Sequence, residues 1–185
     1  FQYAALKGIA TNRNYSFIVP CYPDPVVDAL GNHLRTEIFD AFELRDCSHG
    51  TVQTETYIQE PGFEYSEAFM EQCPDDVSLV GFFQTEKYFK NVEDDIRTDF
   101  TFKDGYLKPC KEYIDSIETP PIFLHIRQAD NIGREEFHPI LPISFFEDAL
   151  KNWSDDTPCF VFTDDIVWCK SEVFFQQYIF LFNDI

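Results

Sequence analysis

Two short apolar runs, IFLHI at 122–126 and CFVFT at 159–163, constrain this chain more than any other feature of it. Each is short and apolar enough for a central strand, and Thr119-Pro120-Pro121 marks the entry to the first. Between them Phe145, Phe146, Ala149, Leu150 and Trp153 recur at helical spacing, and Ser144 and Glu147 stand at the spacing of a capping box. Residues 166–178 predict a second helix. Strand, helix and strand in this order make a βαβ unit, whose strands run parallel and therefore finish at the same edge. Ligands of open α/β sheets bind outside the carboxyl ends of the strands. The residues there are His125, Arg127, Gln128 and Asp130 after the first run, and Asp164 and Asp165 after the second.

The rest of the chain carries the same alternation less sharply. Residues 1–13 predict a helix with Phe1, Ala4, Ala5 and Ile9 on one face, and Tyr15 to Val19 predict a strand stopped by Pro20. Val77 to Phe83 predict a further buried strand, followed by helices at about 85–90 and 92–98. Between about 21 and 76 the pattern weakens into loops. The expected class is α/β.

Composition narrows the partners. Aromatic residues are 17% of the chain, 21 of them Phe, so a packed core is the default. A formal net charge of −19 excludes nucleic acid as a partner, because phosphate lattices are bound through clustered Lys and Arg. It does not exclude a small anion, since charges farther than a Debye length of about 8 Å are screened. No window approaches the roughly 18 apolar residues of a membrane span. The six cysteines lack any C-x-x-C spacing and read as free thiols, while His33, His49 and His138 show no metal-ligand spacing.

At the strand edge, Arg127 offers fixed donors suited to phosphate oxygens, and an Asp there can accept paired N–H groups such as those of a guanine. Strands about 4.8 Å apart let one ligand touch both sets. That combination suits a nucleoside diphosphate. The run HIRQADN at 125–131 resembles the H-x-R-x-G-D-Y signature of the α-1,2-fucosyltransferases, glycosyltransferase family 11. FQYA at the start, GFFQTEKYFKNVEDDIRTDFTFK at 81–103, and HPILPISFFEDAL followed by FVFTDDIVWCK stand in the order that family would have.

The resemblance implies a GT-B architecture of two Rossmann-like domains, with residues 1–118 on the acceptor side and 121–185 opening a donor domain. It also implies a fragment lacking both ends. The implied reaction is inverting transfer of L-fucose from GDP-β-L-fucose to a hydroxyl of a galactoside-type glycan, in α-1,2 linkage and without a metal or other cofactor. By position, Arg127 would stabilise the departing β-phosphate, and His125 with Asp164 or Asp165 would hold the guanine. Gln128 and Asp130 would complete the donor site, with Asp130 orienting Arg127. No residue is assigned as a base. The expected partners are GDP-fucose and the glycan, with peripheral membrane association compatible. The compartment would be cytoplasmic for a microbial or viral protein and the Golgi lumen for a eukaryotic one.

Gln128, Ala129 and Asn131 depart from the signature, where Arg, Gly and Tyr are usual. A missing cation beside a diphosphate keeps a degenerate, non-catalytic nucleotide- or carbohydrate-binding module in view. A metal-dependent glycosyltransferase using Asp164 and Asp165 on Mg²⁺ is the other alternative. For His125 a satisfied core position is an alternative to a guanine contact, and for the Asp pair, a helix cap.

Overall fold

The structure is a computed structural model, which describes residues 1–21, 26–27, 33–34, 38–52 and 54–180. It divides into two compact units, Phe1–Cys110 and Lys111–Ile185. The expected boundary lay at Thr119-Pro120-Pro121. The division instead falls inside a helix, Asp104–Asp115, that continues across it.

In the first unit, α1 (Gln2–Arg13) is followed by β1 (Ile18–Pro20), β2 (Val26–Val27), β3 (His33–Leu34), α2 (Ile38–Ala41), β4 (Ser48–Gly50) and β5 (Tyr57–Gln59). Then come α3 (Glu67–Gln72), β6 (Ser78–Val80), two 3-10 turns over Glu86–Tyr88 and Lys90–Val92, and α4 (Glu93–Asp99). β1 pairs with β4 and β5 with β6, both parallel, while β2 and β3 are antiparallel. The stretch expected to be loop thus contains two short helices and strands. Three-residue strands and a helix capped by Ser66, whose hydroxyl accepts the Phe69 N–H, are too short to leave a periodic signal.

Helix α1 forms as predicted but is buried more widely than one face, with Tyr3, Ala4, Ala5, Lys7, Gly8, Ile9 and Ala10 all covered, while Phe1 is exposed. It ends at Asn14, which takes the left-handed conformation. The strand after it begins at Ile18, where pairing with Ser48 starts, rather than at Tyr15. Gly8 lies against the 3-10 turn: an added Cβ would fall 2.0 Å from the Tyr88 carbonyl oxygen and 2.7 Å from Phe89 Cα. Two apolar clusters flank this helix, one around Ala5, Ile9, Met70, Phe83 and Tyr88, the other around Tyr3, Ala4, Val92 and Ile96.

α5 (Asp104–Asp115) leads into the second unit, where β7 (Ile122–Ile126), α6 (Ile143–Leu150), β8 (Cys159–Thr163), α7 (Ile166–Ser171) and β9 (Ile179–Phe180) follow. The strand order is β7-β8-β9, all parallel. Both predicted strands keep their predicted bounds. Leu124, Ile126, Cys159 and Val161 share a core with Phe146, Cys169 and Phe175.

Two helix expectations are corrected. Ser144 and Glu147 do not form a capping box, because α6 starts two residues earlier than a cap at Ser144 requires, with Pro142 at the cap and no side-chain cap bond. Its inward line is the buried Phe146 with the half-buried Ile143 and Leu150, while Phe145, Ala149 and, beyond its end, Trp153 are exposed. The helix expected over 166–178 stops at Glu172, whose extended backbone redirects the chain into a 3-10 turn, with Phe175 fully buried. All six cysteines are free thiols, and Cys73, Cys159 and Cys169 are buried. Among the described residues no helix is long and apolar enough to cross a membrane.

Candidate functional site

The register of β7 and β8 places Ile126 opposite Thr163, so the two strands end level. The period-two alternation of β7 runs past its end. Leu124, Ile126 and Gln128 are buried, whereas Phe123, His125 and Arg127 are exposed on the other face. His125 therefore presents outward beside Phe162, its partner across the ladder, and the core-histidine reading is overturned. Gln128 is only 5% exposed, because its position falls on the core side of that alternation. Its side chain therefore does not stand on the outward face with Arg127.

The two strand ends are tied together. The Gln128 N–H donates to Asp164 Oδ1 at 2.9 Å, so the exposed Asp164 fixes the turn that follows β7. Asp165 Oδ1 accepts the Trp168 N–H at 2.9 Å and caps α7, the helix-cap alternative. Thr163 Oγ1 accepts the Asp165 N–H at 3.0 Å and the Cys169 S–H at 3.4 Å. Burial pushes the Cys169 thiol up, which keeps it protonated and poor as a nucleophile at neutral pH. Asp130 lies in the 3-10 turn Ala129–Asn131, where the Asn131 and Ile132 amides donate to the Gln128 carbonyl. The side chain of Asp130 lies outside the described residues.

The edge thus brings His125, Arg127, Asp164 and Asp165 together, while Gln128 contributes its backbone. Chemically it offers one guanidinium, an outward imidazole and carboxylates on the neighbouring strand, a set suited to holding a charged, hydrogen-bonding ligand. Among the described residues no group of three or more His, Cys, Asp or Glu is arranged to hold a metal ion.

An alignment 114 residues long, covering 58% of this chain, is 32% identical to an α-1,2-colitosyltransferase of Escherichia coli. The chain is similar to a glycosyltransferase. The match takes in 39% of that relative, so the chain spans about two-fifths of its length. No family model matches the chain, and no solved structure does.

Two buried acids in the first unit escaped the sequence reading. Asp99 is 1% exposed and accepts from Lys7 Nζ at 2.6 Å, from the Tyr3 hydroxyl at 2.6 Å, and from the Arg45 N–H at 3.0 Å. Burial raises its pKa, but the bonds from Lys7, Tyr3 and Arg45 outweigh burial and hold the carboxyl below its ordinary range. Burial, then Asp99, push the Tyr3 phenol up. Lys7 was the available signal, a lone cation among the apolar positions of α1. The second acid, Glu60, follows β5.

Proposed function

We propose that this chain belongs to an inverting glycosyltransferase that passes an L-fucose-type sugar from a GDP-linked donor to a hydroxyl of a galactoside-type glycan, in α-1,2 linkage. The single observation that carries the reading is the level pair of strand ends, with Arg127 on one, Asp164 and Asp165 on the other, and the Gln128–Asp164 bond between them. The relative's transfer of colitose, a fucose-like sugar, supports it. We place both units in a GT-B enzyme, with the second unit on the donor side.

Arg127 stabilises the negative charge that grows on the β-phosphate as GDP departs, without covalent chemistry. Asp164 or Asp165 accepts the guanine N–H donors, and His125 packs or bonds beside the base. Residue 128 stands on the core side of the edge, so Gln rather than Arg there removes no outward cation. That supports turnover over the degenerate reading.

Replacing Arg127 with Ala in the full-length protein is expected to cut turnover roughly a hundredfold while weakening GDP-fucose binding much less, because the charge is greatest in the transition state. Wild-type turnover in that variant overturns the phosphate role. Calorimetry is expected to show GDP bound over UDP, and equal affinities overturn the guanine assignment. Transfer that fails in chelator and returns with Mg²⁺ favours the metal-dependent alternative.

A further inference from the structure

Strands β5 and β6 also run parallel and end level, with Gln59 opposite Val80. Glu60 and Gly81 stand just beyond. Glu60 is 7% exposed, and its Oε2 accepts the N–H of Phe82 at 3.0 Å and of Phe83 at 2.9 Å. Its Oε1 is buried and has no hydrogen-bond partner among the described residues. The turn that creates this arrangement is a demanding one. Phe83 sits at φ 51°, in the left-handed region, and an added Cβ at Gly81 would fall 2.5 Å from Glu60 Cβ. Strained backbone beside an unmet buried acceptor is a feature that clusters at ligand sites.

Glu60 lines a cavity of about 530 Å³, within the size range of small-ligand sites. At its wall Phe63 and Phe82 stack on each other, with ring centroids 5.8 Å apart and planes 25° apart. They are 73% and 60% exposed. Two large rings left in solvent beside a cavity mark a ligand surface.

Each feature narrows the ligand. The negative face of an aromatic ring attracts the polarised C–H groups on the apolar face of a pyranose. A carboxylate oxygen without a donor is met by a hydroxyl. Among the described residues no Lys or Arg lines the cavity, so the phosphates of a nucleotide would meet Glu60 with no cation from them to offset the repulsion.

We infer that the end of β5 and β6 is a subsite for an uncharged pyranoside, which stacks on Phe63 and Phe82 and donates a hydroxyl to Glu60 Oε1. The inference deepens the proposed function and rests on it in naming this sugar as the acceptor. The subsite itself stands on the rings, the cavity and the orphaned oxygen.

The test is saturation-transfer NMR on the full-length protein with methyl β-D-galactopyranoside and methyl β-D-glucopyranoside, alongside GDP titrated by calorimetry. Saturation transfer to at least one pyranoside is expected, with affinity about tenfold weaker in Phe63→Ala and in Phe82→Ala and GDP affinity unchanged. The exposure of Phe63 lets its truncation leave the fold intact. No transfer to either pyranoside, or affinity indifferent to both rings, overturns the subsite. Ring-dependent pyranoside binding in a protein that binds no GDP upholds the subsite and overturns the donor reading. GDP binding with ring-independent pyranoside affinity does the reverse.

Discussion

At the residue scale, the Lys7–Asp99 pair shows how a charge comes to lie inside this protein. Asp99 meets a cation, a phenol and an amide, so its charge is matched on both carboxylate oxygens. Removing one partner leaves the other charge buried alone. Asp99→Ala is therefore expected to cost about 3–5 kcal/mol, read as a shift in the urea midpoint. The folded pKa of Asp99 lies below the unfolded value of about 3.9, so its contribution is present above that pH and is lost as pH falls through the lower folded value. Stability measured from pH 6 down to pH 2 should fall more steeply in the wild type than in the Ala variant. Parallel profiles would show that Asp99 is not held in its charged form.

At the element scale, opposing terms decide the effect of substitutions in α1. Gly8→Ala gains up to about 1 kcal/mol in helix propensity. Its new methyl, however, meets the Tyr88 carbonyl and Phe89 Cα, backbone atoms that cannot swing away. Overpacking costs typically about 1–3 kcal/mol and wins, so Gly8→Ala is expected to lower the melting temperature. An unchanged or higher one would mean that the 3-10 turn yields. For α7 the relevant term is the cap. Asp165→Ala removes the acceptor of the Trp168 N–H and is expected to cost about 1 kcal/mol. If Asp165 is a cap alone, GDP affinity in that variant stays at the wild-type value. A loss of affinity far beyond the stability change would assign it to the nucleotide as well.

At the scale of the whole molecule, each unit carries its own apolar clusters, two in the first and one in the second among the described residues. Phe146 joins α6 to the β7–β8 face and is 4% exposed. Phe146→Ala is expected to cost about 3–5 kcal/mol. Hydrogen exchange should quicken in β7 and β8 and leave the α1 amides close to their wild-type rates. Equal acceleration in both places would mean that the units unfold as one.

The sequence by itself determined β7 and β8 to the residue, because a five-residue, mostly apolar run bounded by Pro and polar groups admits little else, and parallel pairing then brought His125, Arg127 and Asp164 to one edge. It also determined α1 and the presence of α6. It did not determine which way the edge residues face. That depended on the alternation running past Ile126, which turned Arg127 outward and Gln128 in. Nor could it reveal the Asp99 network or the Glu60 turn. Lys7 and Asp99 meet across 92 positions, and Glu60 meets Phe83 across 23, joined by hydrogen bonds that no local pattern encodes. A buried polar group has to find its partner wherever the folded chain brings one, so these sites were decided by tertiary structure alone.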